Sequence, residues 1–139
     1  MAEMNDFNRN LVAEFRADDG KVAGAFEGSP LLLLTTTGAK TGRKHTTPLV
    51  HLKDGDQIAV FGSMGGAPTN PAWYHNLLAN PDVTVELPGE TFEARAVPVV
   101  GDERDRIWTA QKEAMPPFKD YEAKTDRQIP VIVLERVHV

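Results

Sequence analysis

Apolar residues recur along the chain with two periods, and the switches between them mark out the elements. Phe7, Leu11, Val12 and Phe15 stand three and four residues apart behind Asn5 and Asp6, either of which can cap. This predicts an amphipathic helix over 6–17 that Gly20 ends. Residues 31–37, LLLLTTT, lie between Pro30 and Gly38 and read as a strand buried on both faces. After a turn, the chain runs extended over 46–53, reverses at the Asp-Gly of DGD (54–56), and continues as a strand over 57–62. The first three strands thus form a meander.

A capped helix is expected next, with Asn70 as its N-cap and Pro71 at its first position, ending at Asn80-Pro81. Residues 83–87 and 91–100, joined by PGE, read as a second hairpin, with clear alternation in TFEARAVPV. Ile107, Trp108, Gln111, Ala114 and Met115 return to helical spacing over 102–115 until Pro116 and Pro117 stop them. A short FKDYEAKTD stretch precedes a last strand over 129–139. No repeat, low-complexity segment or linker divides the chain. The expected fold class is α+β, an antiparallel barrel or curled sheet of about six strands with flanking helices, forming one domain over 1–139.

Composition narrows the function. The 139 residues are 41% hydrophobic and 25% charged, ordinary for a globular domain, so disorder is expected only at the extreme N-terminus. A net charge of −5 argues against non-specific attraction to nucleic acid or to an anionic membrane. Without cysteine there is no disulfide, no thiolate metal site and no cysteine nucleophile. The longest purely aliphatic run is far short of the roughly 20 residues that span a bilayer. No secretory signal pattern opens the chain, so a cytoplasmic location is the expectation.

Against that acidic background, Lys40, Arg43, Lys44 and His45 crowd into one turn, TTTGAKTGRKHTTPLV. Gly38 and Gly42 permit backbone conformations in which N–H groups converge on an anion. The alternative is a solvated hairpin tip. A nucleotide-binding P-loop is set aside, because the glycine and lysine order is wrong and a strand follows. A second candidate is SMGGAPTNPAW, where Ser63, Met64, Gly65 and Gly66 leave a strand just before a helix start, a place where backbone donors and a helix dipole meet ligands. Trp73 and Asn76 share a face of that helix; the competing reading makes the glycines a simple turn and Trp73 core. A third candidate pairs Phe118 with Tyr121 as an aromatic wall carrying one hydroxyl, against a small satellite core. The four histidines show no metal-ligand spacing, and Ser63 belongs to no nucleophile elbow.

Taken in order, LLLLTTTGAKTGRKHTTPL, GSMGGAPTNPAWYHNLLANPDVTVE and DYEAKTDRQIPVIVLE resemble the deazaflavin-dependent nitroreductase family, over nearly everything from residue 28 onward. The resemblance implies a split β-barrel related to flavin-nucleotide-binding oxidases, with coenzyme F420 in a groove between the barrel and its loops. It implies that positions matching Lys40, Thr41, Gly42, His45, Thr47 and Pro48 face the phosphate and oligoglutamate tail. Arg43, in the same turn, joins them as a cofactor-binding candidate. Those matching Ser63, Met64, Gly65 and Gly66 approach the deazaflavin ring, while Trp73 and Asn76 line the groove. Phe118 and Tyr121 fall on the substrate side, where characterised nitroreductases carry several tyrosines and this chain has Lys124 at the next such spacing.

The expectation is an F420H2-dependent reductase passing hydride to an enone, quinone or nitro compound, with Ser63 and Tyr121 as catalytic candidates and the protein monomeric or homodimeric. A non-catalytic F420-binding or storage protein and an FMN-dependent reductase on the same fold are the alternatives.

Overall fold

The computed structural model describes residues 6–18, 30–55, 57–63 and 66–137. Asn5, Gly20, Asp56, Met64 and Gly65 therefore lie outside the described residues. The elements run α1 (Asp6–Ala17), β1 (Leu31–Thr37), β2 (Lys44–Asp54), β3 (Gln57–Phe61), α2 (Ala72–Ala79), β4 (Asp82–Leu87), β5 (Glu90–Val99), α3 (Gly101–Ala114), α4 (Pro117–Ala123) and β6 (Val131–Arg136). The six strands close into an antiparallel barrel in the order β1-β2-β3-β6-β5-β4, with β4 back against β1.

The run of leucines in β1 is buried on both faces, as expected. Leu32 and Leu34 point into the barrel with Ile58, Val60, Val83, Val85, Ala94, Ala96, Ile132 and Leu134. Leu31 and Leu33 point outward beneath Leu11, Val12 and Phe15 of α1. Burying each of those three α1 side chains stabilises the docked helix by ~1.5–3 kcal/mol, and the bidentate Arg16–Glu86 pair fixes its end on β4. On the opposite flank α3 and α4 cover the outer faces of β3 and β6 through Ile107, Trp108 and Phe118, which pack on Ala59, Phe61, Val131 and Val133. Trp73 and Leu77 of α2 belong to the interior cluster, so this helix plugs one mouth of the barrel.

Several boundaries differ from the sequence expectation for local reasons. β2 begins at Lys44 because Thr36 and Thr37 pair with His45 and Lys44. β6 begins at Val131; Ile129 is buried before it as irregular chain, its carbonyl accepting from Arg104 Nη2 at 2.7 Å. Pro117 both follows the end of α3 and opens α4, a position where its missing N–H costs nothing. Asn70 does not cap α2: Pro71 is the N-cap residue with no side-chain cap bond, and Asn70 Oδ1 accepts instead from Arg127 Nη1 at 2.6 Å. Ala114 is exposed despite its helical spacing, whereas Gln111 is fully buried with neither amide atom hydrogen-bonded.

Candidate functional site: a split beside β2

β2 is shared between two neighbours. Its residues 44–50 pair with β1, but only 51–54 pair with β3. Phe61 at the end of β3 pairs with Val131 of β6, and Gly62 continues along β6 by donating to the Pro130 carbonyl at 3.0 Å, so β3 stays with β6 where its pairing with β2 has ended. The barrel is therefore split along 44–50, where one edge of β2 faces no strand among the described residues. Pro48 lies in this half, where a strand residue without an N–H is tolerated. Thr47 and Pro48 stand across from Leu34 and Leu33, and His45 across from Thr36.

The basic turn forms one end of this split. Gly38 N–H donates to the Arg43 carbonyl at 2.7 Å, Gly42 N–H to the Gly38 carbonyl at 3.0 Å, and Arg43 N–H to Thr41 Oγ1 at 3.2 Å. Gly42 takes φ +71°, which favours glycine, and a Cβ on Gly38 would fall 2.7 Å from Thr41 Oγ1 and 3.1 Å from His45 Nε2. These bonds correct one expectation: the turn's backbone donors are largely engaged inside the turn, so its attraction for an anion rests on side chains. Lys44 is held by Thr37 Oγ1 at 2.9 Å. Lys40 and Arg43 are exposed, and no carboxylate among the described residues pairs with either.

Helix α2 ties the turn to the second candidate loop. Asn76 Oδ1 accepts from the Ala39 N–H at 3.0 Å and Asn76 Nδ2 donates to Thr36 Oγ1 at 3.3 Å, while Asn80 Nδ2 reaches the Thr37 carbonyl at 3.4 Å. Asn76 is thus engaged by the turn itself. Trp73 shares its helix but is 7% exposed in the barrel interior, the core reading of that residue rather than a groove-lining one.

The loop after β3 forms the other end. Ser63 is buried, and its carbonyl accepts from Gly66 N–H at 2.8 Å and from Arg127 Nη2 at 2.9 Å. Gly66 has φ +85°, and a Cβ there would meet the Tyr121 carbonyl at 2.7 Å and Lys124 Cβ at 2.9 Å. The loop therefore rests directly on α4, which brings Ser63, Gly66 and Tyr121 into one neighbourhood. Tyr121 is half-buried, its ring edge-on to Phe118 with centroids 5.0 Å apart. Phe118 itself is 7% exposed, inside an aromatic cluster with Phe61 and Trp108. It belongs to the satellite core and supports Tyr121; only Tyr121 has surface to offer.

Glu122 fastens α4 to α3 by accepting from Trp108 Nε1 and from Lys112 Nζ at 3.0 Å. Burial opposes its ionisation, but those two donors outweigh it and hold the carboxyl below its ordinary value. Arg127, which sequence reading passed over, binds Ser63, Ala67 and Asn70 at once. Nothing local marked it, because its partners are 57 to 64 residues away. Among the described residues no group of acidic or histidine side chains could hold a metal ion, and no helix is long and apolar enough to cross a membrane.

The model of a family described as F420H(2)-dependent quinone reductase matches residues 7–136. A protein of Mycobacterium tuberculosis described as an F420H(2)-dependent quinone reductase is 41% identical over 128 residues, which are 89% of this chain and 86% of the relative. Among solved structures, an F420-H2 dependent reductase superposes with a TM-score of 0.71 at 41% identity, covering 76% of this chain and 94% of its own. Another, described as a domain-swapped dimer, gives 0.72 at 36% identity, covering 91% and 96%.

Proposed function

The chain belongs to the F420H(2)-dependent quinone reductase family, and from that premise we propose that it reduces a quinone at the split beside β2. The observation that supports this placement most is the pair of exposed cations, Lys40 and Arg43, which no carboxylate among the described residues pairs with, at one end of a strand edge that no described strand covers.

The donor set fits a cofactor with a flat ring and a polyanionic tail. Lys40 and Arg43 give charge-assisted hydrogen bonds to phosphate and carboxylate, the strong class of such bonds, without first breaking an ion pair. Thr41 and Gly42 shape the turn that presents them, with His45, Thr47 and Pro48 continuing along the open half of β2. At the other end Ser63 and Gly66 line the ring side, and Met64 and Gly65 complete that loop in sequence. When bound, reduced F420 supplies a hydride, so the chain need not supply a nucleophile. Its own residues bind, orient and exclude water.

In this reading Ser63 hydrogen-bonds near the ring or the acceptor. Tyr121, held edge-on by Phe118, closes the pocket on the acceptor side and gives its hydroxyl proton to the quinone oxygen as hydride arrives, and solvent then restores it. A quinone taking one hydride and one proton becomes a hydroquinone, so the electrons balance against oxidation of the cofactor.

Titration with F420 and with FMN, followed by fluorescence, tests the cofactor. Anaerobic stopped-flow oxidation of bound F420H2 by menadione tests the reaction. Saturable F420 binding with multiple-turnover oxidation is expected; tight F420 binding with no oxidation by menadione, cyclohexenone or a nitroarene would make it a storage protein, and preference for FMN would overturn the cofactor assignment.

A further inference from the structure

We propose that Arg127 is a positioning residue for the hydride-transfer site: its guanidinium holds Ser63, Ala67 and Asn70 in the arrangement that receives cofactor and acceptor. This rests on the reading of the loop after β3 as the ring end of the groove. Nε donates to the Ala67 carbonyl at 2.9 Å, Nη1 to Asn70 Oδ1 at 2.6 Å and Nη2 to the Ser63 carbonyl at 2.9 Å. Each of the three guanidinium nitrogens thus takes an acceptor, and the three acceptors are spread along one loop. A planar fork can satisfy such a set, and a lysine ammonium cannot reproduce it.

The clamp is itself anchored. Two residues beyond Arg127, Ile129 is almost wholly buried and its carbonyl is held by the buried Arg104. At the loop, Gly66 has no room to shift toward α4, because it already lies against the Tyr121 backbone. The fork therefore links the segment before β6 to Ser63 and to Asn70, two residues ahead of α2, the helix whose Asn76 holds Ala39 in the basic turn. In this proposal one residue acts on both ends of the groove through its protein acceptors alone.

The test compares Arg127→Lys and Arg127→Ala with the unaltered full chain by three readouts. Amide hydrogen exchange without cofactor reports loop order, titration gives the F420 Kd, and steady-state turnover with menadione separates kcat from KM. Faster exchange confined to 66–70 is expected in both variants, with the F420 Kd raised about tenfold or more, since lost hydrogen bonds to a charged group outweigh that factor. Free guanidinium ion should restore part of the affinity to Arg127→Ala and none to Arg127→Lys. Asn70→Ala, which removes one acceptor only, should shift Kd in the same direction by less, and stands in if neither Arg127 variant folds.

Faster loop exchange with Kd and kcat unchanged would make Arg127 a structural tie only and overturn the proposal. So would a fall in kcat that follows the fraction of folded protein with Kd unmoved. If the unaltered chain bound no F420, the reading of the groove would fail instead, and the exchange data on Arg127 would still stand.

Discussion

Asn76 on α2 accepts a hydrogen bond from the Ala39 N–H in the basic turn at 3.0 Å while donating to Thr36 Oγ1 on β1, so helix, strand end and turn form one unit. Replacing Asn76 with Ala removes both bonds and leaves the Ala39 N–H without this acceptor. A stability loss of about 1–2 kcal/mol is expected from urea unfolding. F420 affinity should fall with it, because the turn presenting Lys40 and Arg43 loses its tie to the helix. Asn76→Asp keeps the acceptor but places a negative charge beside those cations; it should retain more stability than Asn76→Ala yet bind F420 no better. Full affinity in both variants would detach the turn from the cofactor.

Lys40 and Arg43 are exposed and unpaired among the described residues, so removing them should cost the fold less than about 0.5 kcal/mol. A charge-assisted hydrogen bond contributes roughly 1.5–3 kcal/mol, so each alanine variant should weaken F420 binding by about ten- to a hundredfold. The double variant should also lose most of the salt dependence of binding, which in the unaltered protein follows from screening of those cations. An unchanged Kd in 0.05 M salt would show that the tail lies elsewhere.

The extent to which the sequence announced this site depends on how far apart the interacting residues are. The leucine run of β1, the Asp-Gly reversal and the alternation in β5 are local signals, and the barrel follows from them. The family and its cofactor were legible because whole blocks, not single residues, carried them. Burial was harder to foresee. Trp73 and Phe118 have the composition of a ligand platform, but which face of a helix meets a sheet is decided by packing with β3, β5 and β6, and both rings went inward. Asn70 had the right type and place for a cap; a guanidinium 57 residues away took its oxygen instead. The split in β2 is a property of pairing, and no residue of 44–50 states that β3 parts from β2 beyond Val60.

Tyr121 separates packing from chemistry. Its ring leans on Phe118 and its backbone meets Gly66, and a phenylalanine would keep both contacts. Tyr121→Phe should therefore fold and bind F420 as before while losing the hydroxyl. General-acid assistance is worth about a hundredfold or more when no other donor substitutes, and nearby water makes a drop in menadione turnover of roughly ten- to a hundredfold the expected result. A solvent isotope effect on turnover should shrink in the variant. Unaltered turnover would remove Tyr121 from the reaction.

His51 gives the fold a pH dependence on the acid side of neutrality. It stands across from Val60 and so faces the barrel interior, 6% exposed, with Nδ1 unbonded. Burial is the main cause that lowers its pKa below the ordinary 6.5, and the Lys53 charge adds to it, against a smaller opposing hydrogen bond to the Pro30 backbone. In the unfolded chain the imidazole takes its proton near pH 6.5, in the fold only at lower pH, so between the two the unfolded state binds more protons. Stability should be flat above about pH 6.5 and fall as the pH drops below it. The lowered carboxyls of Asp54, Glu90 and Glu122 act further down: their contribution is present above their unfolded values and is lost only as pH falls below about 4.5, so the two windows separate. Urea midpoints between pH 5 and 7.5 should show the slope in the unaltered protein and lose it in His51→Leu, which fills the same interior position without a titrating group. An equal slope in both would place the titrating group elsewhere.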